Sequence, residues 1–273
     1  MRWWAGLKDF VLACLTGVVV TEISTASGTA MLELATGRWD ARAVELAGIR
    51  LDQLPPVLPT TAVLEISRAV AEELGLPVGT PVVVGAGDGP LGNVGTGALD
   101  DGVVGLSVGT SGAARMIVRE PVLDPDGRLF CYALTDGLWV VGGATSTAGV
   151  VVRWAGDVFG GGLAAPGTLR DTELLALVQA VPAGSDGLLM LPYLLAERAP
   201  LWDPDLAGAF LGIRLAHTRG HFVRAAVEGV ALQLAVVVEA LDRIHPVTAV
   251  RAIGGAFVRC CGARCSPRRS AVR

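Results

Sequence analysis

Two glycine-rich turns, each following an apolar run, carry the side chains in this chain that could do chemistry. The run at residues 82–84 ends in Gly-Ala-Gly-Asp-Gly-Pro at 85–90, so this turn holds one carboxylate, Asp88. A second run ends in a Gly-Thr-Ser-Gly turn that contains Gly109, Thr110 and Ser111. Phosphoryl transfer needs positioning, charge stabilisation and a carboxylate that accepts the hydroxyl proton. The two turns therefore predict a small-molecule kinase, with a carboxylate base and a phosphate-sized cradle.

Each turn also has a purely structural interpretation. Glycines beside an aspartate are how ordinary loops turn, and a lone Gly-Thr-Ser-Gly sequence is often a hairpin. A dinucleotide-binding loop is the rival glycine-rich motif, but Pro90 stands where that motif requires its third glycine. It would also place the Asp88 carboxylate against the pyrophosphate, and we set this alternative aside.

The composition is that of a globular protein with a sizeable core. Of 273 residues, 52% are hydrophobic and 18% are charged, and the mean hydropathy is +0.54. The length allows one or two domains. The longest uncharged run, residues 137–152, falls short of the roughly 20 apolar residues that span a bilayer. Lys8 and Asp9 interrupt the N-terminal apolar stretch that a signal peptide would need. We therefore expect a cytoplasmic protein without a membrane partner.

Charge and cysteine usage bear on partners and metals. The net charge of −4 and the absence of a basic stripe argue against nucleic acid as a partner. Three cysteines crowd together near the C-terminus: Cys260, Cys261 and Cys265. A zinc site would need a fourth ligand, and His245 is not placed to supply it, so we predict no metal site. Cys14 and Cys131 lie in apolar contexts that predict buried thiols.

Hydrophobic spacing predicts the elements that position the two turns. Helices are predicted at 4–16, 41–49, 64–74, 90–98, 147–159, 172–180 and 218–244. Strands are predicted at 81–86, 103–108, 112–118, 129–134 and 138–141, with a hairpin turn at 135–137. Gly75 should end the third helix, and Thr218 should cap the last one. Asp88 then lies between the end of a strand and the start of a helix. Residues 100–102 form a candidate domain boundary. The alternation of predicted strands and helices indicates an α/β fold.

Longer motifs resemble a known family. Two segments fit the second signature of the FGGY carbohydrate kinases: Gly-Ala-Phe-Leu-Gly-Ile at 208–213 and, after a spacer of seven residues, 221–228. Residues 191–204 resemble the family's Gly-Glu-Arg-x-Pro segment, with Ala196 where glycine is usual. The segments 87–95, 108–113 and 129–136 look most like gluconate kinases, whereas xylulose, glycerol and ribulose kinases differ more. The resemblance covers residues 3–258 and implies the two-domain, actin-like (ribonuclease-H-like) ATPase fold with its active site in a cleft.

The resemblance implies a role for each candidate residue. Asp88 would be the general base that takes the proton from the sugar hydroxyl as it attacks the γ-phosphorus of ATP. The implied nucleotide-binding residues are Gly109, Thr110, Ser111, Gly149, Gly254 and Gly255. The turn at 109–111 would hold the β- and γ-phosphates, and the glycines would let the nucleotide approach the backbone closely. Magnesium is expected with ATP.

Two further segments resemble the family and keep two interpretations each. Residues 21–28 match a Thr-Asp-x-x-x-Ala-Ser segment, with Glu22 where aspartate is usual. They either contact substrate or simply cap a helix at Ser24 or Thr25. Glu197 and Arg198 either orient the cleft or form an interdomain salt bridge, and we favour a structural role.

The resemblance also sets expectations about the extent of the chain. The family's glycine-rich Asp-x-Gly-Thr hairpin, which binds phosphate and metal, has no match in this sequence. We expect residues 1–100 to be the C-terminal part of the family's N-terminal domain and residues 101–258 a truncated C-terminal domain. Residues 259–273 depart abruptly from the family. With GC-rich codons, reading one base earlier gives a family-like helix, so we hypothesise that this tail is translated out of frame.

Together these observations predict an ATP-dependent carbohydrate kinase that converts gluconate to 6-phosphogluconate. Another sugar such as xylulose is the alternative substrate, and a catalytically inactive remnant is the alternative state of this chain. Exposed apolar surface should make the chain prone to association, and a homo-oligomer is compatible with the sequence.

Overall fold

The structure, a computed structural model, describes residues 3–162 and 168–254, and this part of the chain divides into two compact units. Unit 1 contains the described residues up to 99, together with 117–123 and 131–141. Unit 2 contains residues 100–116, 124–130 and the described residues from 142 onward. Gly255, the three clustered cysteines and the tail 259–273 lie outside the described residues.

Unit 1 is built from short elements. They are α1 Leu7–Thr16, β1 Thr21–Glu22, α2 Ile23–Ser27, β2 Leu32–Glu33, β3 Arg38–Trp39, α3 Ala41–Leu46, β4 Val57–Leu58, β5 Val63–Glu65, α4 Arg68–Leu74, β6 Pro81–Val83 and α5 Asp88–Gly95. Strand β1 pairs in parallel with β4, and β5 pairs antiparallel with β6. A small apolar cluster consists of Ala86, Ile117, Leu134 and Val140. Because Ala86 packs in this cluster, the turn that leads to Asp88 is anchored by a buried side chain.

Several sequence expectations in unit 1 are wrong in detail. The helices predicted at 4–16 and 41–49 are shorter, since α1 begins at Leu7 and α3 ends at Leu46. The predicted helix 64–74 begins at Arg68, because residues 63–65 form β5 and pair with β6 instead. This pairing overrides the helical spacing. The strand predicted at 81–86 ends at Val83, whose side chain is 60% exposed, so it is not a buried strand. Helix α5 ends at Gly95 rather than near residue 98. Gly75 does end α4, with the left-handed φ of 67° that favours glycine.

The remaining elements are mostly longer. They are β7 Val103–Val108, β8 Gly112–Val118, β9 Phe130–Thr135, β10 Leu138–Thr145, α6 Gly149–Phe159, α7 Thr168–Gln179, β11 Leu189–Leu191, β12 Ala209–Leu211, α8 Arg219–Ile244 and β13 Ala249–Ile253. Most of them belong to unit 2, but β9 lies in unit 1 from Cys131 onward, and β8 and β10 each have residues in both units. The largest sheet has the strand order β13-β7-β8-β10-β9, with β13 parallel and β8 antiparallel to β7. The predicted strands β7 to β10, the hairpin turn between β9 and β10, and the predicted helices α6 to α8 are confirmed. Strands β11, β12 and β13 were not predicted.

Helix α8 forms the core of unit 2 with α6 and β11. Its buried face includes Ala226, Val230 and Leu234, and these residues pack in one cluster with Val151 and Ala155 of α6 and Met190 of β11. Its length and apolar composition would suffice for a membrane span. However, one face of the helix is buried in protein, and the Arg224–Glu228 ion pair lies within it, so we describe α8 as a core helix.

The loop before β9 is closed by an aspartate–arginine pair. The Asp124 carboxylate accepts hydrogen bonds from the Arg128 backbone N–H at 2.8 Å and from its guanidinium at 2.8 and 3.0 Å. These bonds lower the pKa of Asp124 to about 2. The carboxylate therefore remains charged at neutral pH and fixes the turn at residues 124–128.

The two described cysteines differ from the sequence expectation. Cys14 is exposed, because α1 buries Asp9, Leu12 and Thr16 on its opposite face. Cys131 is partly buried, and burial raises the pKa of its thiol. The prediction of a buried thiol was wrong for Cys14.

Candidate active site

The Asp88 carboxylate lies exposed at the first residue of α5. Gly85 takes the left-handed φ of 76° that lets the chain turn after β6. Pro90, buried in the first turn of α5, has its φ preset for the helix and lacks an N–H that would need an acceptor. The Asp88 Oδ1 atom accepts a hydrogen bond from the Gly89 N–H at 2.7 Å. The carboxylate is therefore held at the start of the helix and is accessible to a hydroxyl group from solution.

Helix α2 supports this turn from within unit 1. The Gly87 N–H donates to the Ser24 hydroxyl at 3.3 Å, and Gly87 caps the helix that begins at Asp88. The cap of α2 itself is Glu22, whose carboxylate accepts from the backbone N–H groups of Ser24 at 2.6 Å and Thr25 at 2.9 Å. The expected cap at Ser24 or Thr25 was therefore wrong, because the longer glutamate side chain folds back to both donors.

Sequence reasoning missed Lys8 as a member of this arrangement. Its ammonium group pairs with Glu22 and also donates to the Val84 carbonyl at 3.3 Å. The signal available in the sequence was a lone lysine on an apolar helix, four residues before the buried Leu12. A fully buried carboxylate such as that of Glu22 requires a cation or several donors.

The turn at Gly109, Thr110 and Ser111 connects β7 to β8, and its residues are exposed. It is closed by a hydrogen bond from the Gly109 N–H to the Ser111 carbonyl at 2.9 Å. The Thr110 carbonyl accepts the N–H groups of Ala148 and Val150, each at 3.2 Å. The first N–H groups of α6 are thus bonded to the turn, and Thr110 and Ser111 carry the two hydroxyl groups of this exposed segment.

Gly149 and Gly254 border this turn. The Gly149 N–H donates to the Gly109 carbonyl at 2.9 Å, and a methyl group at Gly149 would lie 2.5 Å from that oxygen. Gly254 has a φ of 123°, and a methyl group there would lie 2.0 Å from the Val108 carbonyl oxygen. Both positions therefore require glycine, and both adjoin the ends of the predicted phosphate turn. Of the predicted nucleotide residues, the structure brings Gly109, Thr110, Ser111, Gly149 and Gly254 together around one turn.

A buried glutamate organises the loop between β10 and α6. Glu197 accepts hydrogen bonds from the Ser146 N–H at 2.6 Å, the Thr147 hydroxyl at 2.8 Å and the Gln233 amide at 2.5 Å. Arg198 donates to the Thr145 carbonyl at 2.8 Å and the Ser146 hydroxyl at 3.3 Å. These partners all belong to unit 2, so the contacts support a structural role and not an interdomain salt bridge.

The same loop fixes the start of β8. The Thr145 hydroxyl accepts from the Gly112 N–H at 3.1 Å and donates to the Thr147 carbonyl at 3.0 Å. A methyl group at Gly112 would lie 2.9 Å from that hydroxyl oxygen. Glu197 therefore holds the loop, and the loop holds both ends of the turn through Gly112 and Ala148.

Within the described ranges, no group of three or more histidine, cysteine, aspartate or glutamate side chains could hold a metal ion.

The chain matches two protein-family models, and it is similar to curated proteins of the same family. Residues 1–95 match the N-terminal domain, and residues 104–260 match the C-terminal domain, of the FGGY family of carbohydrate kinases. It is 41% identical over 259 residues to a gluconokinase of Bacillus subtilis, covering 92% of this chain and 50% of that protein. It is 34% identical over 230 residues to a xylulose kinase of the same species, covering 83% of this chain and 45% of that protein.

A solved structure gives the same result. The gluconate kinase from Lactobacillus acidophilus superposes with a TM-score of 0.87 at 34% identity, covering 94% of this chain and 52% of that one. The expected actin-like ATPase fold is thereby confirmed. The chain spans about half the length of the relatives that it matches. On these motifs, this fold and both domain matches, the chain belongs to the FGGY family of carbohydrate kinases.

Proposed function

We propose that this chain is part of an ATP-dependent kinase that phosphorylates a hydroxyl group of gluconate to give 6-phosphogluconate. The observation that carries the proposal is the exposed Asp88 carboxylate at the start of α5, in a chain 41% identical to a gluconokinase. Gluconate is the sugar of the most similar of the relatives named above, and the protein would act in the cytoplasm.

In the proposed reaction, Asp88 accepts the proton of the sugar hydroxyl as its oxygen bonds to the γ-phosphorus of ATP. The bond from that phosphorus to the oxygen bridging the β- and γ-phosphates breaks, and ADP leaves. A well-placed general base contributes about 10²–10⁴ in rate. The N-terminal position of Asp88 on α5 suits this role, because its Oδ1 atom is held by Gly89 while the carboxylate remains exposed.

We propose that Thr110 and Ser111 hold the phosphates, with Gly149, Gly254 and Gly255 at the nucleotide. Two observations support this role: the turn is exposed, and its carbonyls are fixed by α6. Side chains at Gly149 or Gly254 would collide with the backbone carbonyls of Gly109 and Val108, so glycine at these positions lets α6 and β13 pack closely against the proposed phosphate turn. Bound magnesium would neutralise charge that develops on the phosphates. Gly255 lies outside the described residues.

The domain assignment remains part of the proposal. We assign residues 1–100 to the N-terminal domain and 101–258 to the C-terminal domain, with 259–273 as an out-of-frame tail. Sequencing the locus through codons 255–273 tests the tail, since codons that cannot be reframed into a family-like helix would exclude it.

A xylulose kinase is the second candidate, because the chain is also 34% identical to one. A coupled ADP-release assay with gluconate and with xylulose, each with ATP and magnesium, distinguishes the two. We expect turnover with gluconate that is lost in Asp88→Asn and kept in the control Asp136→Asn, which changes an exposed hairpin residue. Faster turnover with xylulose would reassign the substrate. Equal rates for wild type and Asp88→Asn would indicate an inactive remnant.

A further inference from the structure

We propose that Glu22, together with Lys8 and Ser24, is a positioning residue that fixes the turn carrying Asp88. This inference rests on the proposed role of Asp88 as the base. Neither Glu22 nor Lys8 contacts Asp88 directly in the structure. Lys8 and Ser24 instead bond to the backbone at the two ends of the turn at 85–87, through the Val84 carbonyl and the Gly87 N–H.

The first step is the burial of Glu22. Its side chain has no exposed surface, and both carboxylate oxygens are hydrogen-bonded. Oε2 accepts from the Ser24 N–H, and Oε1 accepts from the N–H and hydroxyl of Thr25 and from the Lys8 ammonium group. A buried charge is tolerated when it is paired and fully bonded, so this carboxylate has only one stable arrangement.

The second step is that Glu22 fixes two groups that hold the turn. Lys8 extends from Glu22 to the Val84 carbonyl at 3.3 Å, just before the turn. Ser24, whose N–H is bonded to Glu22, accepts from the Gly87 N–H at 3.3 Å, just after the turn. Between these anchors the chain contains Gly85, which is in the left-handed region. The anchors therefore restrict a segment that glycine would otherwise leave free.

The third step is that α2 cannot shift as a whole. At its other end, Ser27 donates its hydroxyl proton to the Ser24 carbonyl at 2.7 Å and accepts the Ala133 N–H of β9 at 3.0 Å. Helix α2 is thus fixed to β9 at one end and to the Asp88 turn at the other. Glu22 is the group that sets its first turn.

The consequence for the reaction is geometric. Glu22→Gln keeps the size of the side chain but removes the charge that pairs with Lys8, so the turn should move relative to α2. A displacement of about 1 Å in a base can cost about 10²-fold in rate. We expect kcat to fall about 10–100-fold, and the KM for ATP to stay within about twofold, because the proposed ATP groups lie on other elements.

The test combines kinetics with hydrogen exchange, so that it does not depend on turnover alone. Wild type, Glu22→Gln and Ser24→Ala are compared with the control Glu45→Gln, which changes an exposed glutamate of α3. Gluconate-dependent ADP release gives kcat and KM, and mass spectrometry gives the deuterium uptake of a peptide spanning 84–91. We expect about tenfold faster exchange in this peptide for Glu22→Gln and Ser24→Ala, with unchanged exchange in α8.

Each outcome decides one point. Wild-type exchange at 84–91 in both Glu22→Gln and Ser24→Ala overturns the inference, whatever the rates are. Faster exchange with a selective loss of kcat supports it. Loss of protection throughout the chain in Glu22→Gln shows a folding defect, and Ser24→Ala, which removes only the bond to Gly87, then decides the inference. If wild type and Asp88→Asn have equal rates, the proposed function fails, and the exchange data still show whether Glu22 fixes the turn.

Discussion

Replacing Gly149 by alanine should disturb the phosphate turn in a way that can be calculated from the structure. The added methyl carbon would lie 2.5 Å from the Gly109 carbonyl oxygen, whereas ordinary contacts of a Cβ atom begin at 3.4 Å. The turn or the start of α6 must therefore move by about 0.9 Å. The movement weakens the hydrogen bond of 2.9 Å from the Gly149 N–H to Gly109, and it displaces Thr110 and Ser111 with the turn.

Two measurements follow from this displacement. Overpacking of this kind costs about 1–3 kcal/mol, and each kcal/mol lowers the Tm by about 2–4 °C in a chain of this size. If Thr110 and Ser111 hold the phosphates, ATP should also bind at least about tenfold more weakly, which corresponds to 1.4 kcal/mol. Calorimetry measures both effects, by scanning the free protein and by titrating it with ATP.

The control is Gly161→Ala, since a methyl group there has no atom within 4 Å and the position follows the same helix. We expect its Tm and ATP affinity to match the wild type. Equal Tm values for Gly149→Ala and Gly161→Ala would refute the packing argument. A lowered Tm with unchanged ATP affinity would confirm the contact and refute the phosphate assignment.

Three further perturbations test other parts of the structure. Glu197→Ala should lower the free energy of unfolding by about 3 kcal/mol, because it leaves several buried donors without their acceptor; a chemical denaturation midpoint equal to wild type would contradict this. The folded-state pKa of Asp124 is lowered to about 2 by Arg128, so the stabilisation is present above the ordinary aspartate pKa of about 4 and is lost as the pH falls toward 2. Denaturation from pH 6 to 2 should show a shallower loss in Asp124→Asn than in wild type. Cys14 should react with iodoacetamide faster than Cys131, whose thiol pKa is raised by burial, and mass-spectrometric peptide mapping with the reverse order would contradict the structure.

The regular elements of unit 2 could be predicted because their patterns are long. Helix α8 carries apolar residues at helical spacing over 26 residues, and the buried ones include Val223, Ala226, Val230, Leu234, Val237 and Leu241. The β7 and β8 bounds agree with the alternation of apolar runs and turn residues. Strands β11 and β13 could not be predicted, since each is short and depends on a distant partner, β12 or β7.

The candidate site could be predicted only in part, for a related reason. The types and spacing of Asp88 and the turn at 109–111 are local features, and they identify the turns themselves. The supporting contacts are not local: Glu197 and Gln233 are separated by 36 residues, and Ser24 and Gly87 by 63. Lys8 stands out in the sequence only as a lone lysine on an apolar helix, and its partner Glu22 is defined by the folded structure of unit 1.

The most direct test of the account is phosphorus NMR of a mixture of wild-type protein, gluconate, ATP and magnesium, run beside the same mixture with Asp88→Asn. If Asp88 is the general base, we expect a phosphogluconate resonance to grow, together with ADP, only in the wild-type sample. Calorimetric titration should show that both proteins bind ATP equally well. Growth of the same resonance at the same rate with Asp88→Asn would contradict the assignment of Asp88 as the base.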